Sequence, residues 1–148
     1  MKFKSPLASV LLAASLALSL TACGGGDDDN GSNVVVANPT ALTKTDTVVG
    51  TGAEATTGKT ASVTYTGWLY SATATDHKST QFDSGSLSYV VGSTQLIAGF
   101  DQGVLGMKVG GKRTVLVPSN LAYGSTGSGT KIPPNAGLVF EITLTAVK

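Results

Sequence analysis

One short apolar helix among strand-forming runs is the feature that most limits how this chain can fold. In the stretch LIAGFDQGVLGM at residues 96–107, Ile97, Phe100 and Val104 recur at spacings of three and four. These three side chains therefore lie on one face of a predicted helix. A helix with a single apolar face is stable only when another layer of structure covers that face.

The predicted helix has recognisable ends. Ser93 and Thr94 are residue types that commonly cap a helix N-terminus. The glycines within 103–106 and at 110–111 favour termination of the helix. These limits predict a helix of about three turns.

Strand-like runs, rich in β-branched and aromatic residues, surround the helix. They occupy residues 45–49, 61–70, 86–91, 113–118 and 138–147. A single helix in a strand-rich domain predicts an α+β fold, in which the helix fills the concave face of a curved sheet. A core made of one short helix and one sheet is shallow, and it leaves room for an aromatic-lined hollow between the two. This hollow is the candidate functional site.

The second run shows which of its side chains face inward. Alternation along 61–70 puts Tyr65 and Leu69 on the inner face and Trp68 on a partly covered outer face. The polar residues 71–81 that follow predict an exposed loop, with His77 facing solvent.

The composition excludes several classes of function. Only 13% of the 148 residues are charged and the net charge is +1, without the basic stripe that nucleic acids need. The single cysteine and single histidine argue against a disulfide framework, a metal site and a Ser-His-Asp triad. Residues 53–60, AEATTGKT, fit a permissive phosphate-binding loop, yet strand-like alternation follows where that loop needs a helix. The sequence therefore predicts no nucleic-acid partner, no metal and no cofactor.

The N-terminus has the features of an export signal. In residues 1–22, Lys2 and Lys4 precede an apolar stretch at 7–20. That stretch is shorter, and richer in Ser and Ala, than a spanning helix of about 20 apolar residues. The signal ends in LTAC, which resembles the lipobox of bacterial lipoproteins and implies lipidation of Cys23 after cleavage.

Residues 23–40 are predicted to be a flexible tether that joins the lipidated Cys23 to a domain at 41–148. The tether is rich in Gly, Asp, Asn and Ser, which bury little apolar surface. It has no pattern of a helical dimerisation region, so a monomer is expected. Gly24 stands where an aspartate is linked, in enterobacteria, to retention at the inner membrane, so the outer membrane is favoured over the inner one.

From about Thr45 to Lys148 the chain resembles the FKBP-type peptidyl-prolyl cis-trans isomerases, with the N-terminus of a bacterial lipoprotein form. The matching blocks are VTYTGWL (63–69), FDSG (82–85), LIAGFDQGVLGMKVGGKR (96–113), AYG (122–124) and IPPNAGLVFEITL (132–144). The resemblance implies a curved antiparallel sheet of five or six strands wrapped around one short helix. It also implies an enzyme that speeds rotation about the peptide bond before proline.

The resemblance further implies roles for ten residues around a proline-binding pocket. Those implied to act in catalysis are Tyr65, Asp83, Ile97 through its backbone amide, and Tyr123 through its hydroxyl. Those implied to line the substrate pocket are Phe82, Leu87, Leu96, Phe100, Ile132 and Phe140. Asp83 corresponds to a buried acid that either supports catalysis, directly or through Tyr65, or anchors its own loop; the sequence favours neither role.

Three positions depart from the best-known members of the family. Leu87 stands where phenylalanine is common, and Phe100 stands where several members have tryptophan. Ser128 stands where some members place an aromatic residue or a histidine. These changes reshape the pocket floor and soften one wall, and they bear on the affinity for macrolide inhibitors such as rapamycin.

The predicted function is peptidyl-prolyl isomerisation of exported proteins by a lipid-anchored enzyme of the bacterial cell envelope. Its predicted partners are proline-containing segments of those proteins and the membrane that holds the lipid. The alternative is a proline-segment binding module or chaperone with little catalysis, which the smaller side chains of Leu87 and Phe100 favour.

Overall fold

The computed structural model describes residues 36–148, which contain five β-strands and one α-helix. The predicted signal peptide, Cys23 and the tether up to residue 35 lie outside the described residues. The elements are β1 (Thr43–Val48), β2 (Thr60–Tyr70), β3 (Lys78–Val90), α1 (Ala98–Val104), β4 (Lys112–Val117), a 3₁₀ turn (Ser119–Leu121) and β5 (Leu138–Val147).

The five strands form one antiparallel sheet in the order β1-β4-β5-β2-β3. The central strand, β5, buries Leu138, Phe140, Ile142 and Leu144 at every second position, as expected where one face of a strand meets the core. Register shifts interrupt the pairing of β2 with both of its neighbours, and such irregularities bend a strand locally. The predicted α+β fold, a single sheet with one short helix, is confirmed.

The helix is shorter than predicted and begins later. It covers seven residues, about two turns, with Ile97 at the N-cap position and no side-chain cap. The predicted capping role of Ser93 and Thr94 is wrong, because these residues belong to a turn in which Thr94 has a φ of 61°. The Asp101 carboxylate accepts the Gly92 N–H at 2.9 and 3.1 Å, which ties this turn to the helix.

The helix packs on the sheet through Gly99, Phe100, Gly103 and Val104, all of which are buried. Gly103, predicted to help end the helix, lies inside it, and a Cβ atom there would approach Val115 Cγ2 to 2.8 Å. The predicted apolar face is correct for Phe100 and Val104. The absence of side chains at the two glycines lets the helix axis lie close to β4.

The loop between β2 and β3 is shorter than predicted. Residues 71–77 form it, whereas β3 begins at Lys78, opposite Tyr70. Lys78 is held by an ion pair with Glu141, and its ammonium lies 4.3 Å from the centre of the Trp68 ring. This cation–π contact covers Trp68 partly, as predicted for the outer face.

In the β2–β3 loop, His77 does not face solvent as predicted. Its ring stacks on that of Tyr70 with 5.2 Å between centroids, and its Nδ1 lies 3.2 Å from the Ser71 carbonyl oxygen. His77 is therefore half-buried against the sheet instead of facing solvent.

The described part of the predicted tether packs on the domain. In residues 36–40, Val36 contacts the hydrophobic core and Pro39 is buried. The Asn38 side chain bonds to Ser119 and Asn135. The predicted domain boundary at residue 41 is therefore too late, because a polar side chain and a proline add contacts that composition alone does not indicate. Within residues 36–148, no helix is long and apolar enough to cross a membrane.

Candidate active site

A cavity of about 330 Å³ lies beside the N-terminus of α1. Nine of the ten predicted site residues line it: Tyr65, Phe82, Asp83, Leu87, Leu96, Ile97, Phe100, Tyr123 and Phe140. The tenth lining residue is Gln95, an exposed polar side chain that the sequence analysis missed. A polar residue in a turn carries no periodic signal, so only its place directly before Leu96 and Ile97 could have indicated it.

Aromatic rings in edge-to-face contact build the floor and walls of the cavity. The ring of Phe100 lies 5.1 Å from that of Phe140 and 5.6 Å from that of Tyr65, centroid to centroid. Phe82 meets Phe140 at 5.7 Å and an interplanar angle of 86°. These perpendicular arrangements direct the positive ring edges at neighbouring ring faces, which favours a fixed geometry over free rotation.

The backbone at Gly67 makes room for these rings. Gly67 pairs with Asp83 of β3 on one side and with Phe140 of β5 on the other. A Cβ atom at this position would lie 2.6 Å from Phe82 Cζ and 2.9 Å from Phe140 Cε1. The glycine in the middle of β2 therefore allows two walls of the cavity to approach the sheet.

Tyr65 and Asp83 form the polar side of the cavity. The Tyr65 hydroxyl donates to Asp83 Oδ2 at 2.7 Å, while Asp83 Oδ1 accepts the Ser84 N–H at 2.9 Å. Burial and, next, this hydrogen bond to Asp83 raise the pKa of Tyr65 to about 12. The Tyr65 hydroxyl is thus held in its protonated form. Asp83 is exposed and differs in this from the buried acid that the resemblance implies.

The turn before α1 brings a backbone donor to the cavity. Leu96 and Ile97 line the cavity and are half-buried. No described residue accepts a hydrogen bond from the Ile97 amide, as expected for the first N–H groups of a helix. This amide is available to a carbonyl oxygen of a bound molecule.

The long loop between β4 and β5 supplies Tyr123 and Ile132. Tyr123 is 38% exposed and lines the main cavity, whereas Ile132 is 5% exposed and lines a neighbouring hollow. That hollow has a volume of about 420 Å³ and a more polar surface, to which Ser128 and Lys131 contribute. It shares Phe82, Asp83 and Tyr123 with the main cavity, so the two hollows adjoin.

The cavity combines an apolar floor with a few polar groups of fixed position. It can hold a small apolar ring against Phe100, and it can offer the Ile97 amide and the Tyr123 hydroxyl to flanking carbonyl groups. In the described part of the chain, no three His, Cys, Asp or Glu side chains cluster as metal ligands do.

Comparisons with known proteins agree with this geometry. The sequence pattern of FKBP-type peptidyl-prolyl cis-trans isomerases matches residues 52–145, which include all ten predicted site residues of the pocket. A protein named FK506-binding protein, from Neisseria meningitidis serogroup A, is 44% identical over 103 residues, which are 66% of this chain and 88% of that relative.

Two solved structures share the fold. The crystal structure of AtFKBP13 superposes with a TM-score of 0.62 and 35% identity, over 75% of this chain and 96% of that chain. A peptidyl-prolyl cis-trans isomerase from Pseudomonas syringae pv. tomato superposes with a TM-score of 0.61 and 31% identity, over 75% of this chain and 78% of that chain. With the family pattern matched over residues 52–145, which contain the helix and all the cavity-lining residues, this chain belongs to the FKBP-type peptidyl-prolyl cis-trans isomerases.

Proposed function

We propose that this isomerase accelerates rotation about X-Pro bonds in exported proteins by seating the proline ring in the aromatic cavity above Phe100. The observation that carries the proposal is the cavity of about 330 Å³, in which three phenylalanine rings and Tyr65 surround a space with few polar groups. Proline presents a compact apolar ring between two carbonyl groups, and this shape matches such a cavity.

The reaction requires the protein to bind its substrate but not to supply a reacting group. Rotation about a peptide bond meets a barrier of about 18–20 kcal/mol, because the resonance of the amide must be broken. No bond is made or cut, so a catalyst needs only to bind the twisted amide more tightly than either planar form. A preference of about 4 kcal/mol for the twisted form accelerates the reaction roughly a thousandfold.

The lining residues would divide this work. The aromatic floor removes the X-Pro carbonyl from water, which disfavours the charge separation of the planar amide. The Ile97 amide and the Tyr123 hydroxyl hold the carbonyls on either side of the bond. Asp83 keeps the Tyr65 hydroxyl in place through their 2.7 Å hydrogen bond, which favours the supporting role among those left open by the sequence.

A protease-coupled isomerisation assay on an Ala-Leu-Pro-Phe peptide tests the proposal. Phe82 and Tyr70 are both half-buried aromatic residues, but only Phe82 lines the cavity. We expect Phe82→Ala to lower kcat/KM by about tenfold or more, because it removes apolar contact with the proline ring. Tyr70→Ala is the matched control and should leave kcat/KM within about twofold of the unsubstituted protein.

Three outcomes decide between the two candidate functions. Acceleration that rapamycin inhibits supports catalysis in the aromatic cavity. Saturable binding of the peptide without acceleration would favour the alternative, a proline-segment binding module or chaperone. Equal losses in Phe82→Ala and Tyr70→Ala would contradict the assignment of the cavity as the binding site.

We also propose where the enzyme acts. The export signal and the LTAC sequence before the lone cysteine support a monomer anchored through lipid on Cys23, at the outer membrane in preference to the inner one. A cysteine that carries two or three acyl chains would remain at a membrane, whereas one chain gives only reversible binding. Clients of such an enzyme are proline-containing proteins of the cell envelope.

A further inference from the structure

We propose that Asn38 is a positioning residue for Tyr123. It acts through Ser119 and Asn135, which both hydrogen-bond to the backbone of Gly124, the residue directly after Tyr123. Asn38 lies in the leading segment, residues 36–40, which precedes the part of the chain matched by the family pattern. The proposal rests on the proposed function, in which Tyr123 holds a carbonyl of the substrate.

The side-chain amide of Asn38 forms all of its strong hydrogen bonds with residues of the β4–β5 loop. Its Nδ2 donates to the Asn135 carbonyl oxygen at 2.8 Å and to Ser119 Oγ at 2.9 Å. Its Oδ1 accepts the Ser119 N–H at 2.8 Å. One side chain thus joins the beginning of the loop to its end, across sequence separations of 81 and 97 residues.

The two residues that Asn38 joins are the same two that hold Gly124. The Ser119 carbonyl oxygen accepts the Gly124 N–H at 2.8 Å, and the Asn135 N–H donates to the Gly124 carbonyl oxygen at 2.7 Å. Gly124 follows Tyr123 directly and has a φ of 56°, a conformation that glycine adopts without strain. Asn38 therefore fixes the frame from which the Tyr123 side chain reaches the cavity.

Other contacts hold the leading segment against the same loop. The Gly137 N–H donates to the Ala37 carbonyl oxygen at 3.2 Å. A Cβ atom at position 137 would approach Pro39 Cδ to 2.4 Å, so the glycine allows the two segments to meet. The leading segment does not itself line either cavity.

The test is a double-mutant cycle in the full chain with Asn38→Ala and Tyr123→Phe. We expect Asn38→Ala to raise KM for the Ala-Leu-Pro-Phe peptide by about three- to tenfold with little change in kcat, because a contact made equally in the ground and transition states is weakened. In the Tyr123→Phe background, Asn38→Ala should have no further effect on KM, since the group that it positions is absent. Asn120→Ala, an exposed asparagine of the same 3₁₀ turn, is the matched control and should leave KM unchanged.

Amide hydrogen exchange supplies a readout that does not depend on catalysis. We expect the Gly124 and Asn135 amides to exchange faster in Asn38→Ala, and Asn38→Asp to restore part of the protection, because a carboxylate still accepts the Ser119 N–H. Equal effects of Asn38→Ala on KM in both backgrounds, or unchanged exchange at Gly124, would overturn the proposal.

The experiment separates this proposal from the proposed function. If Tyr123→Phe alone leaves KM unchanged, the role of Tyr123 in substrate binding is wrong, and Asn38 is then not a positioning residue for the reaction. If Tyr123→Phe raises KM and Asn38→Ala does not, only the inference about Asn38 fails.

Discussion

At the scale of single residues, the Tyr65–Asp83 pair decides how the polar side of the cavity works. Both carboxylate oxygens of Asp83 already accept hydrogen bonds, one from the Tyr65 hydroxyl and one from the Ser84 amide. A carboxylate occupied in this way orients its donors better than it attacks or polarises a bound amide. We therefore expect Asp83 to act mainly by holding the Tyr65 hydroxyl in place.

A second double-mutant cycle tests this interpretation. We expect Tyr65→Phe and Asp83→Ala each to lower kcat/KM by about three- to tenfold, because both break the same hydrogen bond. The kcat/KM of the double variant should be no lower than that of the less active single variant, since the two residues act as a unit.

The control for that cycle is Glu54→Gln, which changes an exposed carboxylate outside the cavity and should leave kcat/KM unchanged. A much larger loss of kcat in Asp83→Ala than in Tyr65→Phe would show instead that the Asp83 charge acts on the amide directly.

At the scale of secondary-structure elements, Arg113 joins the helix to two strands. It lies in β4 and is 8% exposed, and its Nη1 donates to the Gly103 and Leu105 carbonyl oxygens at the end of α1. Its Nε and Nη2 donate to the two carboxylate oxygens of Asp46 in β1, at 2.6 and 3.2 Å. This bidentate pair, together with the free carbonyls of the helix, fixes the edge strand and the helix end relative to β4.

The Arg113–Asp46 pair makes stability depend on pH. The hydrogen bond from Arg113 holds the pKa of Asp46 below its usual value of 3.8. Because the folded state binds this proton less tightly than the unfolded state, the pair stabilises the fold above about pH 4 and loses that effect as the pH falls through the folded pKa.

Urea titrations at about pH 7 and about pH 3 measure this effect as a difference between the unsubstituted protein and Asp46→Asn. We expect Asp46→Asn to unfold at lower urea at the higher pH, and the difference between the two proteins to be smaller at the lower pH. A constant difference at both values would mean that the charge of Asp46 contributes nothing. Glu141 has a pKa lowered chiefly by its hydrogen bond from Lys78, so both proteins keep some acid sensitivity.

The same elements show how far sequence reasoning reaches. The apolar stripe of α1 and the alternation of β5 could be predicted, because burial periodicity is written into neighbouring positions. The start of the helix, the start of β3 and the start of the domain could not. The start of the helix depends on the turn that Asp101 holds through the Gly92 N–H. The other two depend on contacts between distant residues, Lys78 with Glu141 and Asn38 with Ser119, which are 63 and 81 positions apart.

The candidate site divides in the same way. The aromatic positions were available from the resemblance to the family, and nine of the ten residues line one cavity. Gln95 and Gly67 gave no signal, because a polar turn residue and a glycine within a strand acquire their importance only from the rings that pack beside them.

At the scale of the whole molecule, the proposed export signal and lipid anchor would tether the isomerase domain where its substrates fold. The unfolded chain of an exported protein interconverts cis and trans X-Pro bonds over tens to hundreds of seconds. An anchored isomerase at the envelope would meet such chains after transport, when this slow step limits their folding.

Metabolic labelling with a palmitate analogue tests the anchor. Cys23 is the only cysteine of the chain, so no other thiol can carry the label. We expect the unsubstituted protein to be labelled and to sediment with membranes, and Cys23→Ser to lose both properties while keeping its isomerase activity in the soluble fraction. A Cys23→Ser variant that remains labelled and membrane-bound would refute lipidation at this residue.

The position of β5 bears on when the enzyme becomes active. It is the last strand in chain order, yet it lies between β4 and β2 and supplies Phe140 to the cavity. During synthesis the β1–β4 pair and the β2–β3 pair therefore remain separate until β5 has been made and inserts between them. Pairing between strands that are distant in sequence is slow. Until β5 is inserted, a nascent chain has neither its full stability against unfolding nor a complete pocket for proline.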